Sequence, residues 1–563
     1  MKVLIEGEIY PIELLEKLFG SSQFYSSHGY EGIIKNVGYY HNLENNELIF
    51  MLPKVFMEDE KKTVFNLTID ELIYCINDTS VVTDVKLSWV RNLTVFFYKS
   101  LVKFKLKFPD SALINYSPVF QLKGIQKTVQ YSYLDIVLSF VAYFKKNKNI
   151  VLYKHIDAVH ANPKKPKWEK TVRKGKPILI GDTLIYDRIR TKNKINNNDE
   201  QLIVFYFSIL NYFSEQHGLG LNIDKIYPIL KGKRFLDLMK QGVRKLKKIK
   251  YRYFNDSLKE MHTLCMLFFS SHDQGRGKMR EDFITVNNYN IVFEDMIDRL
   301  FSDDLESISV NKNSLNDLKY HRDGKILDHI FDHTSLLDSS SIFYIGDSKY
   351  YKSGTEAGQN SRFKQFTYAK NVIQYNIDLL NENNRPYKAG QKYRDELTEG
   401  YNITPNFFIY GFINCPDDYK SSKLKPQGEV QESYHFKHRL FDRDTLFVHQ
   451  YKINFLFVLK AYVTYNAIAL STFRSQVREL FRDEFVHYLS KEGKSKYSFY
   501  EYVDSPESMI DFVNENFRTL NGKMYKTVDG KLLLAVHEDD KNLKFDDLLS
   551  RFTLIDINHL AEN

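Results

Sequence analysis

Apolar positions in this chain fall into two kinds of pattern. Short runs rich in β-branched and aromatic residues predict buried strands. Examples are Ile342-Phe343-Tyr344-Ile345 and NFFIYGFI over residues 406–413. Residues 32–40 and 47–56 read as a strand pair joined by the turn-prone stretch His41 to Asn46. Longer stretches place apolar residues at helical spacing. These include Tyr131 to Phe144, the set Phe293, Ile297, Leu300 and Phe301 with Asn290 as the expected cap, and the set Phe473, Val477, Leu480 and Phe481. A further strand is expected at Thr445 to Val448, feeding a helix that starts near Ile453. Together they predict a multi-domain α/β chain. Residues 1–110 read as a β-rich binding or scaffold domain and 111–270 as a basic, mostly helical region. Residues 271–490 read as helix, strands, helix, strand, strand, helix, which is a mixed sheet covered on its faces. Residues 491–563 read as a mixed C-terminal tail. There is no internal repeat and no low-complexity tract.

Candidate chemistry concentrates in KILDHIFDHTSLLDSSSIFYIGDSKYYK, residues 325–352. The 342–345 run leads into Gly346-Asp347-Ser348-Lys349, and residues two apart on a strand share a face. Asp347 and Lys349 therefore point the same way. Upstream, Ile326 to Phe331 is a second short apolar run, with Asp328 inside it. The polar segment between the runs is hairpin-like, and folding it back brings Asp328 beside Asp347. Two carboxylates suit Mg²⁺, with Mn²⁺ as a substitute, since hard cations take oxygen ligands. Such a metal polarises a phosphodiester and acidifies a bound water, and a lysine offsets charge on the phosphate. The string D-x-K alone is common by chance; its place at the end of one apolar run, after a second acid-bearing run, narrows it. The competing reading is a surface Asp and Lys on a hairpin. Glu294 sits beside the apolar face of its helix, either as an auxiliary acid or as a first-turn glutamate favoured by the helix dipole. Gln365 and Tyr368 share a face of the helix that follows.

Composition narrows the partners. The chain has 563 residues, 43% hydrophobic and 15% aromatic, enough for real cores and against disorder. The net charge is +8, with a pI near 8.8, which inclines only mildly toward a polyanion. The charge is concentrated locally. Lys231 to Arg252 holds ten Lys or Arg against the single Asp237, with Phe235 and Tyr251 interleaved. Arg244, Lys245, Lys247 and Lys248 are therefore candidate phosphate contacts, as are Lys167 and Trp168 in the basic loop NPKKPKWEKT. Near the carboxylates, Lys352, Arg362 and Lys364 are further candidates. Cys75, Cys265 and Cys415 are scattered, with neither disulfide framework nor zinc spacing. Glu6 and Glu8 interrupt what a signal peptide would need, and Lys460 and Asn466 argue that 453–470 is a buried helix rather than a span. The expectation is a cytoplasmic chain without membrane contact. No GxxxxGK[ST] loop is present, so no nucleotide is expected on this chain itself.

Strand, acid, spacer, strand, Asp-x-Lys is the pattern of the PD-(D/E)xK nucleases, and this stretch resembles it. Several segments in order resemble the LlaJI family of restriction endonucleases, related to the nuclease subunit McrC: VGYYHNLENNELIFMLPKVF, HANPKKPKWEKTV, FEDMIDRLF, FYIGDSKYYK, RFKQFTYAK and RLFDRDTLFVHQYKINFLFVL. They span roughly residues 30–470. Leu327 stands where the pattern has proline, a residue that shapes backbone and ligates nothing. The resemblance implies Asp328 and Asp347 as Mg²⁺ ligands, Lys349 as the catalytic lysine, Glu294 as an auxiliary acid and metal ligand, and Gln365 facing phosphate or water. It also implies double-stranded DNA as substrate, anti-phage restriction as the role and a separate McrB-like AAA+ GTPase as partner. The alternatives are a self-sufficient type II endonuclease, a non-catalytic DNA-binding subunit, an RNA-acting nuclease, and a hydrolase using His321, His329 and His333.

Overall fold

Strand Ser341–Lys349 is a buried interior strand, second from one edge of its sheet, in the computed structural model. The structure describes every residue except 1, 21, 43–46, 59–61, 75–83, 118–119, 124–127, 148–151, 218–220, 275–281, 304–318, 320–325, 353, 384–389, 416–417, 434–437, 491, 541–548 and 562–563. Ile342 to Ile345 are fully buried. Helices cover both faces here, so successive positions must be apolar rather than alternate ones. On one face, Phe481 of helix Ala467–Leu489 stacks on Phe407, with centroids 4.5 Å apart. On the other, Phe366 of helix Gln359–Asn383 packs against Phe408 and Tyr410.

This sheet has six strands. His329–Thr334 pairs antiparallel with Ser341–Lys349, which pairs parallel with Pro405–Phe412, which pairs parallel with Phe447–Asn454. Two short strands, Lys425–Pro426 and Gln431–Glu432, pair antiparallel with the last. Helix Tyr289–Phe301 precedes the sheet and packs against the first two strands. The strand expected at 445–448 is longer and later, Phe447–Asn454, because the Thr445 N–H closes a turn on Asp442. The helix expected near Ile453 starts at Phe455, capped by Asn454. It ends at Thr464, and a new helix begins after Asn466, which caps it. Among the described residues no helix is long and apolar enough to cross a membrane.

The N-terminal sheet runs Lys2–Ile5, Glu47–Leu52, Asn36–Asn42, Asp282–Asn287, Ile114–Ser117 in spatial order. It therefore draws strands from both sides of the boundaries expected near 110 and 270. The expected pair is present, with Gly38 opposite Met51, but the run 32–40 breaks at Lys35. Its first part, Glu31–Ile34, joins a separate three-stranded sheet with Ile9–Pro11 and Tyr25–His28. The middle region is helical as expected, with helix Tyr133–Lys146 started by a Ser132–Asp135 capping box. It also carries a two-stranded arm, Tyr153–His160 with Ile189–Asn196, whose side chains are largely exposed. A continuous apolar core links this region, the N-terminal sheet and the six-stranded sheet.

Residues 497–555 are not a mixed tail. The described residues of this stretch form a four-stranded antiparallel sheet with helix Pro506–Leu520 packed on it and a core of its own, including Phe512, Leu520, Leu532 and Phe552. Ser505 caps the helix with proline at its first turn, a start signal legible in VDSPESM.

Candidate active site

The hairpin 329–349 has one register, with His329 opposite Gly346. Extended by one residue, that register sets Asp328 opposite Asp347. Asp328 lies just before the strand rather than within it, and its Oδ2 accepts the Ser348 N–H at 3.0 Å. Gly346 has no room for a side chain: a Cβ there would stand 2.0 Å from the Phe407 ring. Asp347 and Lys349 share a face, as expected of residues two apart. The Lys349 ammonium donates to Asp347 and lies 4.8 Å from the centroid of Phe408. Glu294 arrives from helix Tyr289–Phe301. Asn290 does not cap that helix; Asn288 holds the cap position with φ +59°, and Asn290 donates to Glu294 at 3.2 Å.

These groups line one open cavity of about 420 Å³. Its electrostatics follow from crowded carboxylates. Burial, then the Asp347 and Glu294 charges, push the Asp328 carboxyl well above its usual range, against a lowering from the Ser348 N–H. Burial also raises Glu294, with Asp347 adding to it and Asn290 and Lys349 opposing. The donors are all oxygen, and repulsion among them is what a divalent cation would relieve. Among the described residues no group of three or more His, Cys, Asp or Glu side chains is arranged to hold a metal on protein ligands alone. Mg²⁺ does not require that, since it usually keeps several waters and takes one or two carboxylates. Asp328 and Asp347 fit that requirement, with Glu294 behind them.

Behind the site, His329 shares a hydrogen bond with Ser348 and its Nδ1 lies 3.6 Å from Asp298. The Asp–His–Ser order resembles an acyl-transfer triad. His329 is fully buried, and its contacts with Ser348 and Asp298 tie the strand end to the preceding helix as a strut. Burial holds His329 below its usual pKa despite Asp298. His333 lies elsewhere, 3.7 Å from Glu479, and His321 is outside the described residues, so the described histidines do not gather at the cavity.

The other expected residues divide. Lys364 is exposed and lines the cavity with Ser361 and Tyr368 from the same helix. Gln365 does not line it; it is fully buried and neither amide atom has a hydrogen-bond partner. Lys352 is committed to Glu8 at 2.6 Å, and Arg362 lies 4.0 Å from Glu356. Arg244, Lys245, Lys247 and Lys248 are exposed on helix Lys233–Ile249, which buries Phe235, Leu238, Leu246 and Ile249. Among the described residues these four form no salt bridge, and the neighbouring Tyr251 is 82% exposed. Lys167 and Trp168 open the short helix Trp168–Lys174 that lies in sequence between the two strands of the arm, with Trp168 half exposed. Glu6 and Lys54, from the N-terminal sheet, also line the cavity. Nothing local in LIEGEIYP or LPKVF marks them, because they reach the site across about 300 residues of chain.

Neither a protein-family model nor a curated protein matches the chain.

Raising the Asp328 pKa has a thermodynamic consequence. Between its ordinary value of 3.8 and its raised value, the folded chain holds a proton that the unfolded chain has released. Stability is therefore full below that window and falls as pH rises through it. In EDTA, Asp328→Asn should match wild type near pH 4 and become progressively more stable than wild type above it, read as urea midpoints. A gap independent of pH would contradict the shift.

Proposed function

We propose that this chain is a Mg²⁺-dependent deoxyribonuclease of the PD-(D/E)xK type. The observation that carries the proposal is the convergence of Asp328, Asp347 and Lys349 at one strand end, with Glu294 supplied by the preceding helix. The order helix, antiparallel hairpin, helix and two parallel strands supports it. Asp328 and Asp347 would hold the cation, which supplies Lewis acidity toward a phosphodiester and a more acidic water. Lys349 is placed to release Asp347 and turn to the phosphate or the attacking water. Glu294, with its raised pKa, is the group beside these best able to carry a proton. Phe408 beneath Lys349 keeps the ammonium poorly solvated, which strengthens its attraction to developing negative charge.

Lys54, Lys349 and Lys364 in the cavity lining suit a substrate held through its phosphate backbone. The exposed face of helix Lys233–Ile249 suits that task, because Arg244, Lys245, Lys247 and Lys248 on it form no salt bridge among the described residues. The resemblance to the LlaJI and McrC enzymes points to restriction of foreign DNA together with a McrB-like AAA+ GTPase. Gating by such a partner would keep a sequence-blind catalytic site from cutting at random.

Asp347→Ala should abolish Mg²⁺-dependent cleavage of duplex DNA, assayed with and without the GTPase and GTP, while circular dichroism stays unchanged. Cutting by that variant at the wild-type rate, or wild-type cutting in EDTA, would sink the assignment. Separately, neutralising Arg244, Lys245, Lys247 and Lys248 together should weaken duplex binding and flatten its dependence on salt by up to about 0.9 log unit per lost phosphate contact. An unchanged slope would show that this face meets something other than DNA.

A further inference from the structure

The segment that follows Lys349 is gripped by the N-terminal sheet. Tyr350 is buried, and its hydroxyl donates to Glu6. The backbone N–H of Lys54 donates to the Tyr350 oxygen at 3.1 Å and to Glu6 Oε2 at 3.4 Å. Two residues on, Lys352 pairs with Glu8. Glu6 and Glu8 flank Gly7, whose φ of +81° lets the chain turn sharply between them. The N-terminal unit thus holds the catalytic strand end at successive points, and it brings Lys54 into the cavity.

The Lys54 ammonium lies 4.8 Å from the centroid of the Tyr350 ring. Lys349 and Lys352 are each ion-paired, whereas among the described residues Lys54 has no carboxylate within salt-bridge distance. Lys54 lies in a cavity lined by the carboxylates of Glu6, Glu294, Asp328 and Asp347, its charge acts on Glu6, and among the described residues it closes no salt bridge with any of them, which leaves its ammonium for an anion from outside. We infer that Lys54 contacts a backbone phosphate of the nucleic acid bound across the site, and that Glu6 and Tyr350 are its positioning residues. The active site is then shared between the N-terminal sheet and the 329–489 unit. This inference rests on the nuclease reading.

The test uses the full-length chain. In an Asp347→Asn background with Ca²⁺, Lys54→Met should bind a fluorescein-labelled DNA duplex about threefold to tenfold more weakly at low salt. Its log–log salt slope should be shallower by about 0.9, equivalent to one phosphate contact. In the otherwise wild-type chain with Mg²⁺, and with the GTPase and GTP added, Lys54→Met should slow single-turnover cleavage at least about tenfold. Lys54→Arg should restore most of that rate, because it keeps the charge, and Tyr350→Phe should lower both rate and slope by misplacing Lys54. An unchanged slope in Lys54→Met, with wild type cutting normally, overturns the Lys54 contact alone. Equal losses in Lys54→Met and Lys54→Arg overturn it too, as the sign of a packing role. Absence of cutting by wild type in every condition removes the nuclease reading itself.

Discussion

One pairing register sets the geometry of the candidate site. With His329 opposite Gly346, Asp328 comes to stand against Asp347, and its carboxylate takes the Ser348 N–H. A slip of one residue would turn Asp347 and Lys349 to the opposite face and aim Ser348 into the cavity instead. Two features forbid that slip. Phe407 fills the space above Gly346, where no other residue fits, and His329 is locked to Ser348 on the far side of the strand. The carboxylates are thus held together by packing that does not depend on them, which is how a strand end can sustain like charges at close range.

The price of that arrangement is visible in the electrostatics. Asp328 and Glu294 are both pushed toward their protonated forms, by burial first and by neighbouring charge second. Lys349 offsets part of this through Asp347. A metal ion would offset more.

The hairpin, its acids and Asp-x-Lys were legible because the signals are local. The apolar run 342–345, the period of two and the polar connection are all contained within thirty residues. The helix carrying Glu294 was legible from its 3.6 period, but the role of Asn290 was not, since Asn288 in the left-handed region takes the cap position. The strands Tyr497–Tyr502 and Leu532–His537 and the Ser-Pro helix start at Ser505 are ordinary local signals, but nothing local says that they close into a sheet with its own core. Glu6 and Lys54 could not be found at all, because their place depends on how the N-terminal sheet docks on Tyr350. The same docking explains why the boundaries near 110 and 270 do not mark separate bodies: strands 114–117 and 282–287 complete the N-terminal sheet, and a single apolar core runs through all three regions.

The central claim is that Asp328 and Asp347 together make a divalent-cation site. Mn²⁺ binding followed by electron paramagnetic resonance measures this directly, without requiring substrate, partner or turnover. Wild-type protein should remove Mn²⁺ from the free signal with saturable stoichiometry, Mg²⁺ should compete, and Asp328→Asn and Asp347→Asn should each weaken that binding at least about tenfold. Equal Mn²⁺ uptake by wild type and both variants would contradict the account.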